Sequence, residues 1–368
     1  MPSGSYTSGL LPTDIDDMVE LTLNKFEKDK WVDISTELQR YFAYENLLMG
    51  ERIGVDGGER LQWQVKVRNT GGSKNTGLYA VDDVKVADNM KSCTIPWTKQ
   101  TASMAYDIDE EGFNSPDAVR LVNILSTRRH DALTDFAQLM EDNFWGIPAN
   151  TTDEVEQKKP LGVPYWVVRN ATLGFNGGAP TGHSSVAGLS PTTYTRWRNF
   201  SGAYKVMDKM DLVRKMREAV VKCDFRQPVS QPSPAGGKPR YVLATTYAVI
   251  SRMEELLEGQ NDNLGNDIAS KGGDVMFRRT PMNWVPWLDA NADTNLASPS
   301  STNPYGVNPI YGIDKKSFRM VFKTGAFMRR SKPIIAPNQH SVRNIFWDSW
   351  TQFQCFDRRR NWLLTQVA

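Results

Sequence analysis

From Leu61 to Arg68 the chain alternates without a break. Leu61, Trp63, Val65 and Val67 fall on one side of an extended strand, and Gln62, Gln64, Lys66 and Arg68 on the other, because successive strand side chains point to opposite faces. The stretch Asn69–Gly77 reads as a turn that brings the chain back through Tyr79, Val81, Val84 and Val86. This predicts a long β-hairpin with a flexible tip. Two strands alone are marginal in water, so the apolar face needs a surface to rest on.

Beyond the hairpin the period changes. "SPDAVRLVNILSTRRHDALTDFAQLMEDNFWGIP" predicts one long helix over 116–145, with Ser115 as N-cap, Pro116 at the first helical position and Gly146 and Pro148 as stops. Val119, Val122, Leu125, Leu133, Phe136, Met140 and Phe144 form its stripe. At ~1.5 Å per residue such a helix is a rod of about 45 Å, long enough to act as a spine. From 146 to 205 Gly, Pro, Asn and Thr dominate, which predicts an irregular surface connection with "LGVPYWVV" as a brief strand. "DKMDLVRKMREAVVKCDF" restores helical spacing through Leu212, Met216, Ala219, Val220 and Cys223. "RYVLATT" reads as a buried strand, "YAVISRMEELLEG" as a helix, and "VMFRRTPMNWVPWLD" and "SFRMVFKTG" as strands around a low-complexity loop. "RNIFWDSWTQFQCF" and "NWLLTQV" predict a closing strand pair joined at Asp357–Arg360. Before the hairpin, a Gly/Ser/Thr-rich start and a short helical pattern in "DIDDMVELTLNKFEKDKW" suggest an arm.

Composition adds bounds. At 368 residues with 40% hydrophobic and 23% charged positions, the chain is ordinarily globular and long enough for two or three domains. The balance of 44 basic against 42 acidic residues, net +2, is too even to advertise a dedicated nucleic-acid binder, so any such contact is expected to be local. No apolar run reaches membrane-span length, and "MPSGSYTSGLLPTD" lacks the form of a secretion signal, so a soluble, unexported protein is expected. In that setting "NTT", "NAT" and "NFS" read as chance glycosylation matches. Cys93, Cys223 and Cys355 are odd in number and far apart, which predicts three reduced thiols. Eleven tryptophans are compatible with extensive association.

No catalytic constellation emerges. His130, His183 and His340 lack metal-ligand spacing, and no CxxC pair, HExxH, GxGxxG or GxxxxGK[ST] occurs. "GHSSVAG" lacks the G-x-S-x-G pattern and a preceding strand. Asp107, Asp109, Glu110 and Glu111 crowd together without the spacing of a calcium loop, and read as a solvated acidic turn. The short clusters Arg128–Arg129, Arg278–Arg279, Arg329–Arg330 and Arg358–Arg360 could each face phosphate, but ion pairing with nearby carboxylates is the default reading. No cofactor, metal site or enzymatic activity is expected.

The order of parts, together with "GLSPTTYTRWRNF" at 188–200 and the ending "FMRRSKPIIAPNQHSVRNIFWDSWTQFQCFDRRRNWLLTQ", resembles the major capsid proteins of tailed bacteriophages, with the Hong Kong 97-type fold. The resemblance covers nearly the whole chain. It implies an α+β fold with an N-terminal arm over 1–52, an extended loop over 53–105, a peripheral domain over 106–204 with its spine helix at 116–145, an axial domain over 205–320, and C-terminal strands over 321–368 that rejoin the peripheral domain. It also implies that a neighbouring subunit covers the hairpin face, so Leu61, Trp63, Val65, Val67, Tyr79 and Val81 become candidate inter-subunit contacts.

The implied function is a coat protein that forms hexamers and pentamers of an icosahedral virion shell around double-stranded DNA, contacted non-specifically, with portal, separate scaffolding and decoration proteins as further partners and no membrane. Several relatives begin with a long scaffolding segment that is cleaved; here the pattern starts almost at Met1, so a separate scaffolding protein, or none, is expected. Lys74 at the hairpin tip reads as solvated, so the isopeptide cross-link of some relatives is not expected. An encapsulin-like cargo shell and, from another class, a soluble α/β hydrolase are the alternatives.

Overall fold

The computed structural model describes residues 53–368 apart from 70, 72, 79–87, 109–117, 150–153, 226–239, 259–274, 279, 298, 301 and 338. The arm, the proposed capping residues Ser115 and Pro116, and Tyr79 and Val81 lie outside the described residues. The chain divides into two compact units. The smaller takes the described residues of Gln100–Leu139 and Gly325–Ser349, the larger those of Gln39–Lys99, Met140–Thr324 and Trp350–Ala368.

Fifteen strands and six helices are described. The strands are β1 (Ile53–Val55), β2 (Arg60–Lys66), β3 (Met90–Pro96), β4 (Thr98–Asp107), β5 (Gly174–Gly177), β6 (Asn199–Tyr204), β7 (Tyr241–Thr245), β8 (Met276–Phe277), β9 (Thr280–Trp284), β10 (Val307–Asp314), β11 (Phe318–Lys323), β12 (Arg329–Arg330), β13 (Ile334–Ala336), β14 (Gln339–Cys355) and β15 (Trp362–Gln366). The helices are α1 (Ala118–Trp145), α2 (Glu154–Gln157), α3 (Val163–Trp166), α4 (Leu212–Lys222), α5 (Tyr247–Glu258) and α6 (Pro286–Asn291).

The larger unit is built on a seven-stranded sheet in the order β5-β6-β15-β10-β7-β9-β8. α4 presents Leu212, Met216, Ala219 and Val220 to it, the stripe expected from the sequence, and all are buried. They join Phe200, Leu243, Val249, Met253, Ile310, Trp362 and Leu364 in one core. Each large side chain so enclosed contributes about 1.5–3 kcal/mol. β10 escaped the sequence reading because Asn308, Pro309 and Gly312 look like loop residues. A register shift between Val307 and Ile310 absorbs the first two. Gly312 is needed because a Cβ there would sit 2.2 Å from the Trp362 ring.

β2 pairs with β3, from Arg60 opposite Pro96 to Lys66 opposite Met90, while the predicted return through Tyr79–Val86 lies outside the described residues. Three expectations are corrected. "LGVPYWVV" contains the buried helix α3 and no strand. The 146–205 segment is not a surface connection: Val163, Trp166, Val186, Trp197 and Phe200 are all buried. "VMFRRTPMNWVPWLD" breaks into the hairpin β8–β9 and α6, since Arg278 takes a left-handed φ of 47°.

The closing strands also part company. β15 runs parallel to β6 and antiparallel to β10, whereas residues 351–355 of β14 pair with β11. The two therefore enter different sheets and do not form a pair, because the turn Arg358–Arg360 redirects the chain between them.

In the smaller unit β14 pairs with β12, Arg329 opposite Asp348, and with β13, Ile334 opposite Asn344. β4 lies along β14 as well, held by Thr101 Oγ1 donating to Asp348 Oδ1 at 2.9 Å, Ser341 Oγ to Asp107 Oδ2 at 3.0 Å and Ile108 N to the Ser341 carbonyl at 3.1 Å. α1 ends at Trp145, as the Gly146 and Pro148 stops predict.

Candidate assembly surface

The hairpin stem shows what its apolar face rests on. Leu61 and Trp63 on β2, Val67 just after it, and Cys93 and Ile95 on β3 are buried within the chain. Leu61 stands opposite Ile95 and Trp63 opposite Cys93. The Trp63 ring lies 6.2 Å from that of Trp166 and 6.0 Å from that of Phe356, and Thr94 N donates to the Ala187 carbonyl at 3.1 Å. Trp63 thus packs against Trp166 and Phe356 within the subunit, and Leu61 and Val67 are buried in the single chain, so the burial of these three needs no neighbour. Alternation reveals that a face is apolar, not which surface meets it. Val65, opposite Lys91, is half-buried.

The cover is itself fixed by Arg358, which is fully buried. Its Nε donates to the Trp166 carbonyl at 2.7 Å, Nη1 to that of Trp197 at 2.7 Å, and Nη2 to that of Gly178 at 2.8 Å and to Asn199 Oδ1 at 3.2 Å. Loss of hydration pushes its pKa down to about 10, so the guanidinium stays charged at neutral pH. Asn199 completes the clamp by bonding both the Val168 N–H and its carbonyl. Gly177 is required beside it, since a Cβ there would fall 2.0 Å from Asn199 Oδ1. The ion-pair reading is thus overturned for Arg358, whose partners are carbonyls, while Arg360 does face Asp224 and Asp357.

Other candidate groups are placed apart from one another. His183 Nε2 sits 2.9 Å from the Pro148 carbonyl and its ring 5.3 Å from Tyr165, whereas His130 and His340 are exposed. All three cysteines are free and buried, and burial pushes the Cys93 thiol up to about 12. Among the described residues no group of His, Cys, Asp and Glu could hold a metal ion, and no helix is long and apolar enough to cross a membrane.

What remains uncovered is apolar and peripheral. Leu78, near the outer end of the hairpin, is 94% exposed. Val206, Met210, Tyr247 and Met276 are exposed on the larger unit, where Val206 and Tyr247 line a groove of about 480 Å³ with Arg252 and Glu255. In the smaller unit Ile334 and Ile335 are exposed on β13. Side chains of this kind suit contact with another macromolecule better than chemistry.

No protein-family model and no curated protein matches the chain. Solved structures do. The capsid asymmetric unit of cyanophage A-1(L) superposes with a TM-score of 0.61 at 13% identity, over 94% of this chain and 99% of that one. The capsid of a native GTA particle gives 0.54 at 11% identity over 93% and 95%, and the capsid of Myoviridae phage XM1 gives 0.52 at 9% over 98% and 100%. At such identities the likeness is one of backbone path: this chain has a mixed α+β fold of the Hong Kong 97 capsid type.

Proposed function

We propose that the protein is the major capsid protein of a tailed phage, a virion subunit that is not an enzyme and assembles as hexamers and pentamers of an icosahedral shell around double-stranded DNA. The observation that carries this reading is the reach of the match. A path that builds a phage capsid accounts for 94% of this chain. The finer division follows the same reading: an extended loop over 53–105, α1 as the spine of the peripheral domain, and an axial domain over 205–320. Portal, scaffolding and decoration proteins are partners by the same argument.

The neighbour's contact moves outward along the hairpin. With Leu61, Trp63 and Val67 already covered in the subunit, it falls on Val65, on exposed Leu78 and on Tyr79 and Val81.

The test is sedimentation velocity with electron microscopy of the purified full chain, followed by nuclease treatment of any particles. Closed shells or capsomers are expected, with protected DNA in particles from infected cells. Shells that hold protein cargo instead of DNA would favour the encapsulin-like alternative. A monomer at every concentration from micromolar to millimolar would overturn the reading.

A further inference from the structure

Between Asp314 and Asp348 the chain contains no acidic residue but eight basic ones: Lys315, Lys316, Arg319, Lys323, Arg329, Arg330, Lys332 and Arg343. The whole chain is only +2, so the rest carries −6. In the smaller unit this run builds the ribbon β12–β13. Arg329, Arg330 and Lys332 are exposed there, beside exposed Ile334 and Ile335, and among the described residues none of the three is in an ion pair. The one carboxylate opposite, Asp348, already accepts from Thr101 Oγ1 at 2.9 Å. Three cations on a short ribbon, left bare against two apolar side chains, repel one another and favour an anionic partner.

The chain supplies such a partner in its densest acidic run, Asp107, Asp109, Glu110 and Glu111. Asp107 is tied to Ser341 on β14, at the edge of that strand where β4 runs, and Asp109–Glu111 lie outside the described residues. The ribbon pairs along β14 as well. A unit that presents a basic ribbon and issues an acidic segment is complementary to a copy of itself head to tail, the arrangement that closes into rings.

We propose that the β12–β13 ribbon docks the acidic segment 107–111 of a second copy of this chain. The inference rests on the self-assembly reading above and assigns one contact of that assembly.

Two full-length variants test it: Arg329→Glu with Arg330→Glu and Lys332→Glu, and Asp109→Lys with Glu110→Lys and Glu111→Lys. Each alone should cut the sedimenting fraction by about tenfold or more with unchanged circular dichroism, and an equal mixture should recover a large part of it as rings of even number, since each contact between unlike variants pairs opposite charges. Undiminished assembly in both variants overturns the contact while leaving the shell reading intact. Rescue by combining all six changes in one chain, without rescue on mixing, also overturns it, because the pairing would then lie within a subunit.

A labelled peptide of residues 105–113 gives a readout that needs no particle. It should bind the wild-type chain in low salt and lose about tenfold in affinity when its four acids become Asn and Gln. Equal binding by both peptides, or none by either, refutes the proposal even if the chain never assembles.

Discussion

Arg329–Arg330 and Arg358–Arg360 are near-identical as strings, two short basic clusters in the same aromatic-rich ending, yet the fold treats them in opposite ways. Arg329 and Arg330 stand exposed on a two-residue strand, in no ion pair among the described residues. Arg358 is withdrawn from water and spends its guanidinium on three backbone carbonyls and one amide oxygen. The difference is set by what surrounds each cluster. Asp357 accepts from Arg359 N at 3.0 Å and starts a tight turn that drives Arg358 inward, whereas Arg329 and Arg330 lie exposed on β12, ahead of a β13 flanked by Pro333 and Pro337. Position in the sequence gives the charge. The hydrogen-bond acceptors of distant segments decide whether it becomes a staple or a surface.

The largest effect is expected at the staple. Arg358→Met keeps much of the volume but leaves the carbonyls of Trp166, Trp197 and Gly178 without their donor, which should cost about 3–5 kcal/mol. Chemical denaturation of the full chain measures this. Arg358→Lys should recover little, because one ammonium cannot reach acceptors arranged for a planar fork. A loss below about 1 kcal/mol, the range of an exposed pair, would erase the distinction between the two clusters.

Next comes Trp63→Asp, which places a carboxylate between Trp166 and Phe356 where no donor awaits it. The change should destabilise the subunit by about 3–5 kcal/mol, seen as a lower unfolding midpoint of the isolated chain. Leu78→Asp at the hairpin's exposed end should leave that midpoint within about 0.5 kcal/mol and act on assembly instead. Equal unfolding midpoints for Trp63→Asp and wild type would return the stem's apolar row to a neighbour.

This contrast also marks how far the sequence could be read. Elements with a strong single period were legible: β2 from Leu61, Trp63, Val65 and Val67, α1 up to Trp145, α4 from Leu212 to Val220, β7 and β15 from their buried runs. Those formed by long-range polar contacts were not. Nothing local in "GLSPTTYTRWRNF" says that Asn199 will bind Arg358 across 159 residues, so the Gly- and Pro-rich 146–205 span looked superficial. For the candidate surface, alternation identified an apolar face but not its cover. The acid-free run from Lys315 to Trp347 is a local excess that the nearly neutral whole-chain balance conceals.

A smaller effect is expected at Cys93, enclosed at the stem opposite Trp63. With its thiol pushed up to about 12 by burial, the thiolate is scarce at pH 8, so native alkylation should be slow and all three cysteines should react once the chain is denatured. Cys93→Ser, a buried hydroxyl in place of a weakly polar sulfur, should cost about 1–2 kcal/mol. Rapid alkylation of Cys93 in the native chain would show that the stem opens.

The smallest change in stability belongs to the exposed cluster, and its smallness is the informative result. Arg329→Ala with Arg330→Ala removes no ion pair and uncovers no core, so the unfolding free energy of the isolated subunit should stay within about 0.5 kcal/mol of wild type. Removing two like charges one residue apart relieves repulsion and could only raise it. The same double variant should weaken self-association, and wild-type association should fall as salt rises, because exposed charges more than about 8–10 Å apart are screened at physiological ionic strength. Thermal unfolding at low protein concentration and sedimentation across a salt series separate the two readouts. A drop in subunit stability comparable to that of Arg358→Met would mean that the ribbon's arginines hold the subunit together, and the two clusters would then differ in exposure but not in role.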